Sequence, residues 1–186
     1  MGAMRETAMR AAIRLGLRVI LLLAVSAPLP AAAQSESGTA TSTPRVGPVS
    51  GLPLPRFVAL RAPEVNLRTG PGLRYPIDWV YTRPGMPLEV MDEFETWRRV
   101  RDWEGSSGWV HQNMLSGERQ AMVVGKQRLL RRDPEETAPG LALLEAGVIG
   151  RLTRCESGWC QIEVNEFAGW LREEEIYGAN PGEQFR

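Results

Sequence analysis

Few side chains in this sequence have types and spacings that suggest chemistry. The single histidine, His111, follows "GWV", with Asp102, Ser106 and Ser107 shortly upstream. A triad needs a nucleophile held against its base and a third group that orients the base. Neighbours along one strand and turn do not supply that, so His111 is expected as a half-exposed strand residue. The carboxylates of "EVMDEFE" and "LREEE" could act as a paired acid and base on a glycoside. Both runs are polar and turn-like, and read as solvated faces. One imidazole is too few for zinc sites built on two or three. No catalytic set, metal site or cofactor site is expected, and the chain reads as a non-enzyme.

The stretch "VNLRTGPG", residues 65–72, could suggest a phosphate cradle. Such a loop needs a lysine and a following helix whose N–H groups face the phosphate. This one has no lysine, contains a proline without an N–H, and runs on into Tyr75-Pro76, so it reads as a β loop. The tryptophans carry more promise. There are six, more than two small cores require, and each combines an apolar body with one donor, which suits a groove for peptide or sugar. Trp79 is expected in a core from strand alternation. Trp97 and Trp109 recur later as Trp159 and Trp170, so packing alone could explain them, whereas Trp103 has no counterpart.

The elements that must position these residues are short strands. Residues 1–33 carry Arg10, Arg14 and Arg18, then an apolar run from Val19 to Ala27, then Ala31-Ala32-Ala33. That order is a secretory signal peptide with cleavage expected after Ala33. Its apolar run is shorter than the roughly 20 residues of a spanning helix, so no stable membrane insertion is expected after cleavage. Its removal takes four Arg and one Glu from a chain of zero net charge, leaving −3, which disfavours a nucleic-acid partner. A periplasmic or secreted location follows. Residues 34–56 are rich in Ser, Thr, Gly and Pro and read as a flexible, disordered linker; "PLPR" within it could alternatively serve as a polyproline ligand.

From Phe57 onward, β-branched and aromatic runs alternate with turn signals such as Pro71-Gly72, Pro84-Gly85 and Pro139-Gly140. The pattern also repeats. At an offset of 62, Gly85 falls on Gly147, Val90 on Leu152, Trp97 on Trp159 and Val100 on Ile162; one residue less of offset then puts "GWV" at Gly108 on "GWL" at Gly169. Upstream, "NLR" falls near "LLR". Two copies of one all-β unit are expected, residues 57–120 and 121–182 with a short tail at 183–186. Each has about 60 residues, a size at which a lone core is marginal, so the copies are expected to pack as a pair. The same alignment puts Cys155 on Glu93 and Cys160 on Arg98, flanking a hairpin turn in each copy. In an oxidising compartment one hairpin would close with a disulfide and the other with an ion pair.

"VNLRTGPG", then "PG" with "LEV", "W" followed by "RRV", "DWEG" and "GWVH" resembles the bacterial SH3-like (SH3b) domain, and the leader, tandem and "CESGWC" resemble exported tandem SH3-like proteins of Gram-negative bacteria. The resemblance implies two small β-barrels, the first with a groove lined on one side by the Arg68–Pro76 loop. It implies that Trp97 and Trp109 lie close to the groove, with Asn66, Arg68 and Tyr75 across it. Asn66, Arg68, Tyr75, Trp97, Trp103 and Trp109 are therefore the expected binding surface, with Arg68 suited to a carboxylate. Recognition of the peptide part of peptidoglycan, or of an extended peptide of an envelope protein, is the expected function; an adaptor without wall binding is the alternative. "LRRDPEETAPG" lacks the Gly-Pro-Gly loop, which sets the second copy apart.

Overall fold

The computed structural model describes residues 45–183. The expected signal peptide, its cleavage point and residues 34–44 lie outside the described residues. The described chain is almost entirely β. A short hairpin, β1 (Arg45–Val46) and β2 (Pro53–Leu54), comes first. Next are β3 (Arg56–Leu60), β4 (Val65–Arg68), β5 (Ile77–Tyr81), β6 (Pro87–Phe94), β7 (Trp97–Arg101), β8 (Ser107–His111) and β9 (Leu115–Ser116). The second set is β10 (Gln120–Val123), β11 (Arg128–Arg131), β12 (Gly140–Leu144), β13 (Ile149–Glu156), β14 (Trp159–Val164), β15 (Phe167–Arg172) and β16 (Ile176–Tyr177).

The two sets form seven-stranded sheets with the same order, β5-β4-β8-β7-β6-β3-β9 and β12-β11-β15-β14-β13-β10-β16. The internal repeat is thus a repeat of topology. The hydrogen-bonded ladder is open in both, with β5 and β9 as edges of the first sheet and β12 and β16 as edges of the second, where closed barrels were expected. Tyr81 from one edge and Leu115 from the other nonetheless share one core cluster with Leu67, Leu88, Val90, Val100 and Val110. Each sheet therefore curls around its own apolar face without closing into a ring.

Gly108 explains how β8 can cross so tightly beside β4. A Cβ there would meet Leu67 Cγ at 2.7 Å and the Arg68 carbonyl oxygen at 2.8 Å. Gly169 stands in the same relation to Leu130 and Arg131, so the glycine of each "GW" pair is a packing requirement. Both central hairpins turn through two residues, with Phe94 opposite Trp97 and Glu156 opposite Trp159. Cys155 pairs with Cys160 across the second and forms a disulfide; Glu93 pairs with Arg98 across the first, 3.5 Å apart.

Two further expectations need correction. Residues 45–56, expected as the end of a disordered linker, form the first hairpin and dock on the first sheet: Leu54 is buried in its core, and Val49 and Ser50 donate backbone hydrogen bonds to Glu93. Long-range polar contacts supply the order that their weak apolar content could not. Trp79, expected in the core, is 61% exposed. It lies on edge strand β5, where Ile77 and Val80 are exposed too, so alternation along the strand does not guarantee cover at the end of a curled sheet.

Candidate functional site

The outer face of the first sheet holds a cleft of about 640 Å³, within the usual range for ligand sites. Its walls are Glu64, Asn66 and Arg68 from β4 and its approach, Leu73 from the β4–β5 loop, Thr96 from the β6–β7 turn, Trp97 at the start of β7, His111 at the end of β8 and Met114 beyond it. Strand register explains this grouping. Trp97 is paired with His111, and Arg68 with Trp109. Antiparallel pairing brings Asn66 to the level of His111, so Asn66, His111 and Trp97 form one outward row and Arg68, Trp109 and Arg99 the next.

Each wall has its own support. Trp97 is only 8% exposed and acts as the floor, with the His111 ring edge-on at 5.3 Å. His111 Nδ1 accepts a hydrogen bond from the Asn113 N–H at 3.3 Å, which leaves Nε2 to carry the proton of the neutral ring. Arg68 Nη1 donates to the carbonyl of Tyr75 at 2.8 Å and to that of Leu73 at 3.3 Å, so this arginine fastens the loop that forms the cleft wall. Tyr75 packs inside the loop. A Cβ on Gly70 would sit 2.5 Å from the Tyr75 ring, so glycine is required beneath it. Leu73 at the loop tip is 79% exposed.

Of the residues expected from sequence, the structure brings Asn66, Arg68 and Trp97 together in the cleft. Tyr75 shapes its wall from behind, and Trp109 stands in the adjacent row, half-buried. Trp103 lies in the turn after Arg101, at the opposite end of the β7–β8 hairpin from Trp97 and His111. Leu73 and His111, which were not singled out as binding residues, are the additions. His111 had been weighed only as a base. Asp102 is no partner for it: the carboxylate is buried, accepting from the Tyr81 hydroxyl at 3.0 Å and from the Glu104 and Ser106 N–H groups. Among the described residues, the one grouping with metal-ligand geometry is Cys155, Cys160 and Glu173, and its two sulfurs are joined to each other.

The second sheet gives an internal comparison. Its β11–β12 loop has the length of the first, with Pro134 and Pro139 on Pro71 and Pro76. It also has the same hydrogen bonds: Arg132 N–H to the Pro139 carbonyl matches Thr69 to Pro76, and Ala138 N–H to Glu135 matches Tyr75 to Gly72. Arg131 Nη1 donates to the Ala138 carbonyl as Arg68 does to that of Tyr75. The loss of the Gly-Pro-Gly sequence has not changed the loop, because Asp133 replaces Gly70 where Ala138 replaces Tyr75. The side chains at the mouth do differ. Glu136 stands in the place of Leu73 and Arg172 in the place of His111, and the two form an ion pair with Arg172 Nε 2.8 Å from Glu136 Oε1. The Arg172 guanidinium lies 4.3 Å over the Trp159 ring, and Arg131 also reaches Glu136. At the matching position in the second copy, the mouth is bridged by the protein's own charged side chains.

Two repeated, curled sheets, one with a cleft on its outer face, define a tandem of small β modules. The chain belongs to the bacterial SH3 domain family, whose model matches residues 61–117 and 124–178. It is similar to the putative N-acetylmuramoyl-L-alanine amidase YrvJ of Bacillus subtilis (strain 168), at 25% identity over 124 residues, or 61% of this chain and 24% of that protein. The chain thus spans about a quarter of that relative's length. Among solved structures it is similar to NlpC2 from Trichomonas vaginalis, with 12% identity, 66% of this chain and 48% of that one covered, and a TM-score of 0.31. It is also similar to an NlpC/P60 family protein from Bacillus cereus ATCC 10987, with 14% identity, coverage of 65% and 55%, and a TM-score of 0.30.

Proposed function

We propose that this is an exported, non-catalytic binding protein whose first SH3-like module recognises the stem peptide of peptidoglycan through the cleft between Trp97, His111 and the Arg68–Pro76 loop. The observation that carries this reading is the contrast between the copies. The same loop, held by the same hydrogen bonds, leaves a cleft open in one and is bridged by Glu136 and Arg172 in the other. A packing requirement alone would have no reason to keep one mouth open beside an exposed leucine. Trp97 and Met114 offer apolar area, and Asn66, Arg68 and Glu64 offer polar groups that fix orientation. A peptidoglycan ligand is supported by the amidase relative, named for the muramoyl–alanine linkage. The arginine-rich, apolar and alanine-rich leader supports delivery to the periplasm or beyond. In this reading the second module buttresses the first.

The test is sedimentation of the purified protein with isolated sacculi, alongside a variant carrying Leu73→Glu and His111→Arg. That pair installs the second copy's ion pair in the first copy's mouth and touches no core residue. The parent should pellet with sacculi, and the folded double variant should lose at least tenfold in affinity. Failure of the parent to pellet would instead favour a protein partner in the envelope, to be sought by crosslinking.

A further inference from the structure

We infer that the cleft of the first module is built for a peptide carboxylate, held between Arg68 and His111 at the position where the second module holds its own Glu136. The inference rests on the reading of this cleft as a ligand site and specifies what the site takes. In the second module Arg131 divides its guanidinium, Nη1 to the Ala138 carbonyl at 3.2 Å and Nη2 to the Glu136 carboxylate at 3.3 Å. Arg172 holds the other carboxylate oxygen while stacked on Trp159. Arg68 is anchored in the same way, with Nη1 committed to the Tyr75 and Leu73 carbonyls. The loop carries Leu73 where the second carries Glu136, so the carboxylate that would complete the arrangement must come from outside.

His111 suits the role that Arg172 fills. It occupies the matching strand position and packs its edge on Trp97, and the Asn113 N–H on Nδ1 leaves Nε2 as a donor. A donor at Nε2 beside an arginine favours a carboxylate over a neutral amide, because charge-assisted hydrogen bonds are about twice as strong as neutral ones. Leu73 and Met114 supply alkyl surface next to that position, and Glu64 supplies an acceptor for a peptide N–H. Small apolar residues ending in a free carboxylate, as in an alanine-terminated stem peptide, match this set. A shorter donor in place of the arginine leaves room for the incoming group, whereas Arg172 reaches across and meets a carboxylate already tethered to the loop.

The experiment uses the full chain and reads the imidazole signals of its single histidine and the indole signal of Trp97 by NMR. The probes are N-acetyl-alanyl-alanine and its C-terminal amide. The free acid should move both sets of signals and bind at least tenfold more tightly than the amide, and the Leu73→Glu, His111→Arg variant should lose the response. Removing the internal carboxylate with Glu136→Ala should open a second acid-selective site, reported by the Trp159 indole. Equal binding of acid and amide, or no movement with either, would overturn the inference. Sacculi with carboxylates converted to amides separate this from the wall reading. If they pellet the protein as well as untreated sacculi do, wall recognition stands and the carboxylate site falls. If neither preparation pellets it while the acid still binds selectively, the carboxylate site stands and the wall reading falls.

Discussion

Glu93 shows how much one side chain can organise. Its carboxylate is fully buried, yet one oxygen accepts from the Val49 and Ser50 N–H groups at 3.1 and 2.8 Å. The other accepts from the Ser50 hydroxyl at 2.6 Å and Arg56 at 2.8 Å. Burial by itself would raise the carboxyl's pKa, but these hydrogen bonds outweigh it and hold the value down at about 2, against an ordinary 4.5. A depressed folded value means that the stabilisation is complete above about pH 4.5 and is lost as the pH falls toward 2. The gap corresponds to about 3 kcal/mol. Glu93→Gln should therefore destabilise the protein by about that amount at pH 7, and urea melts of parent and variant should converge as the pH approaches 2. A difference that stays constant between pH 7 and pH 2.5 would show that the charge is not what fastens the hairpin. The expected cross-strand ion pair with Arg98 was thus only part of Glu93's role. Its main partners lie some 40 residues upstream, in a segment whose composition pointed to disorder.

At the scale of elements, the β4–β5 loop and its β11–β12 counterpart form a natural double substitution. Gly70 with Tyr75 in one copy becomes Asp133 with Ala138 in the other, and backbone hydrogen bonds are kept. A side chain at residue 70 collides with the Tyr75 ring, so Gly70→Asp alone should cost about 1–3 kcal/mol through displaced packing. Adding Tyr75→Ala should recover much of that loss, and a double-mutant cycle of melting midpoints would read a coupling of opposite sign to the single effect. Additive losses would mean that the two positions do not share space. The sequence made the strands, the turns and the Cys155–Cys160 pairing legible, because alternation, Pro-Gly pairs and the 62-residue offset are local or repeated signals. It also grouped Asn66, Arg68 and Trp97, which line one cleft in the structure. The plug in the second copy was not legible, since Glu136 and Arg172 are 36 residues apart and each looks like an ordinary surface charge until the fold makes them meet. Exposed Trp79 was misread for a related reason: strand periodicity reports which face a residue occupies and says nothing about where the sheet ends.

Among the described residues, the core of the first module borrows a side chain from the second sheet. Met122 belongs to β10 in the second sheet, yet it is 1% exposed within the core cluster of the first. Around it, the Tyr177 hydroxyl donates to the Arg101 carbonyl at 2.7 Å, and its ring meets Phe57 edge-on at 5.1 Å. Arg83 Nη1 donates to the Gly147 carbonyl at 3.1 Å. Modules of about 60 residues bury too little surface to be robust alone, and here the core of the first is completed by a side chain of the second. Met122→Ala should therefore cost about 2–5 kcal/mol and lower the stability of both modules together. Urea unfolding of single-tryptophan versions retaining only Trp97 or only Trp159 would show it. In the parent background the two probes should report one coincident transition, and in Met122→Ala both should shift by the same amount. If the Trp159 transition stayed in place while that of Trp97 moved, the second module would be an independent domain. Its plugged cleft would then need a purpose other than supporting its neighbour. Coincident shifts would make the second module a structural extension of the first.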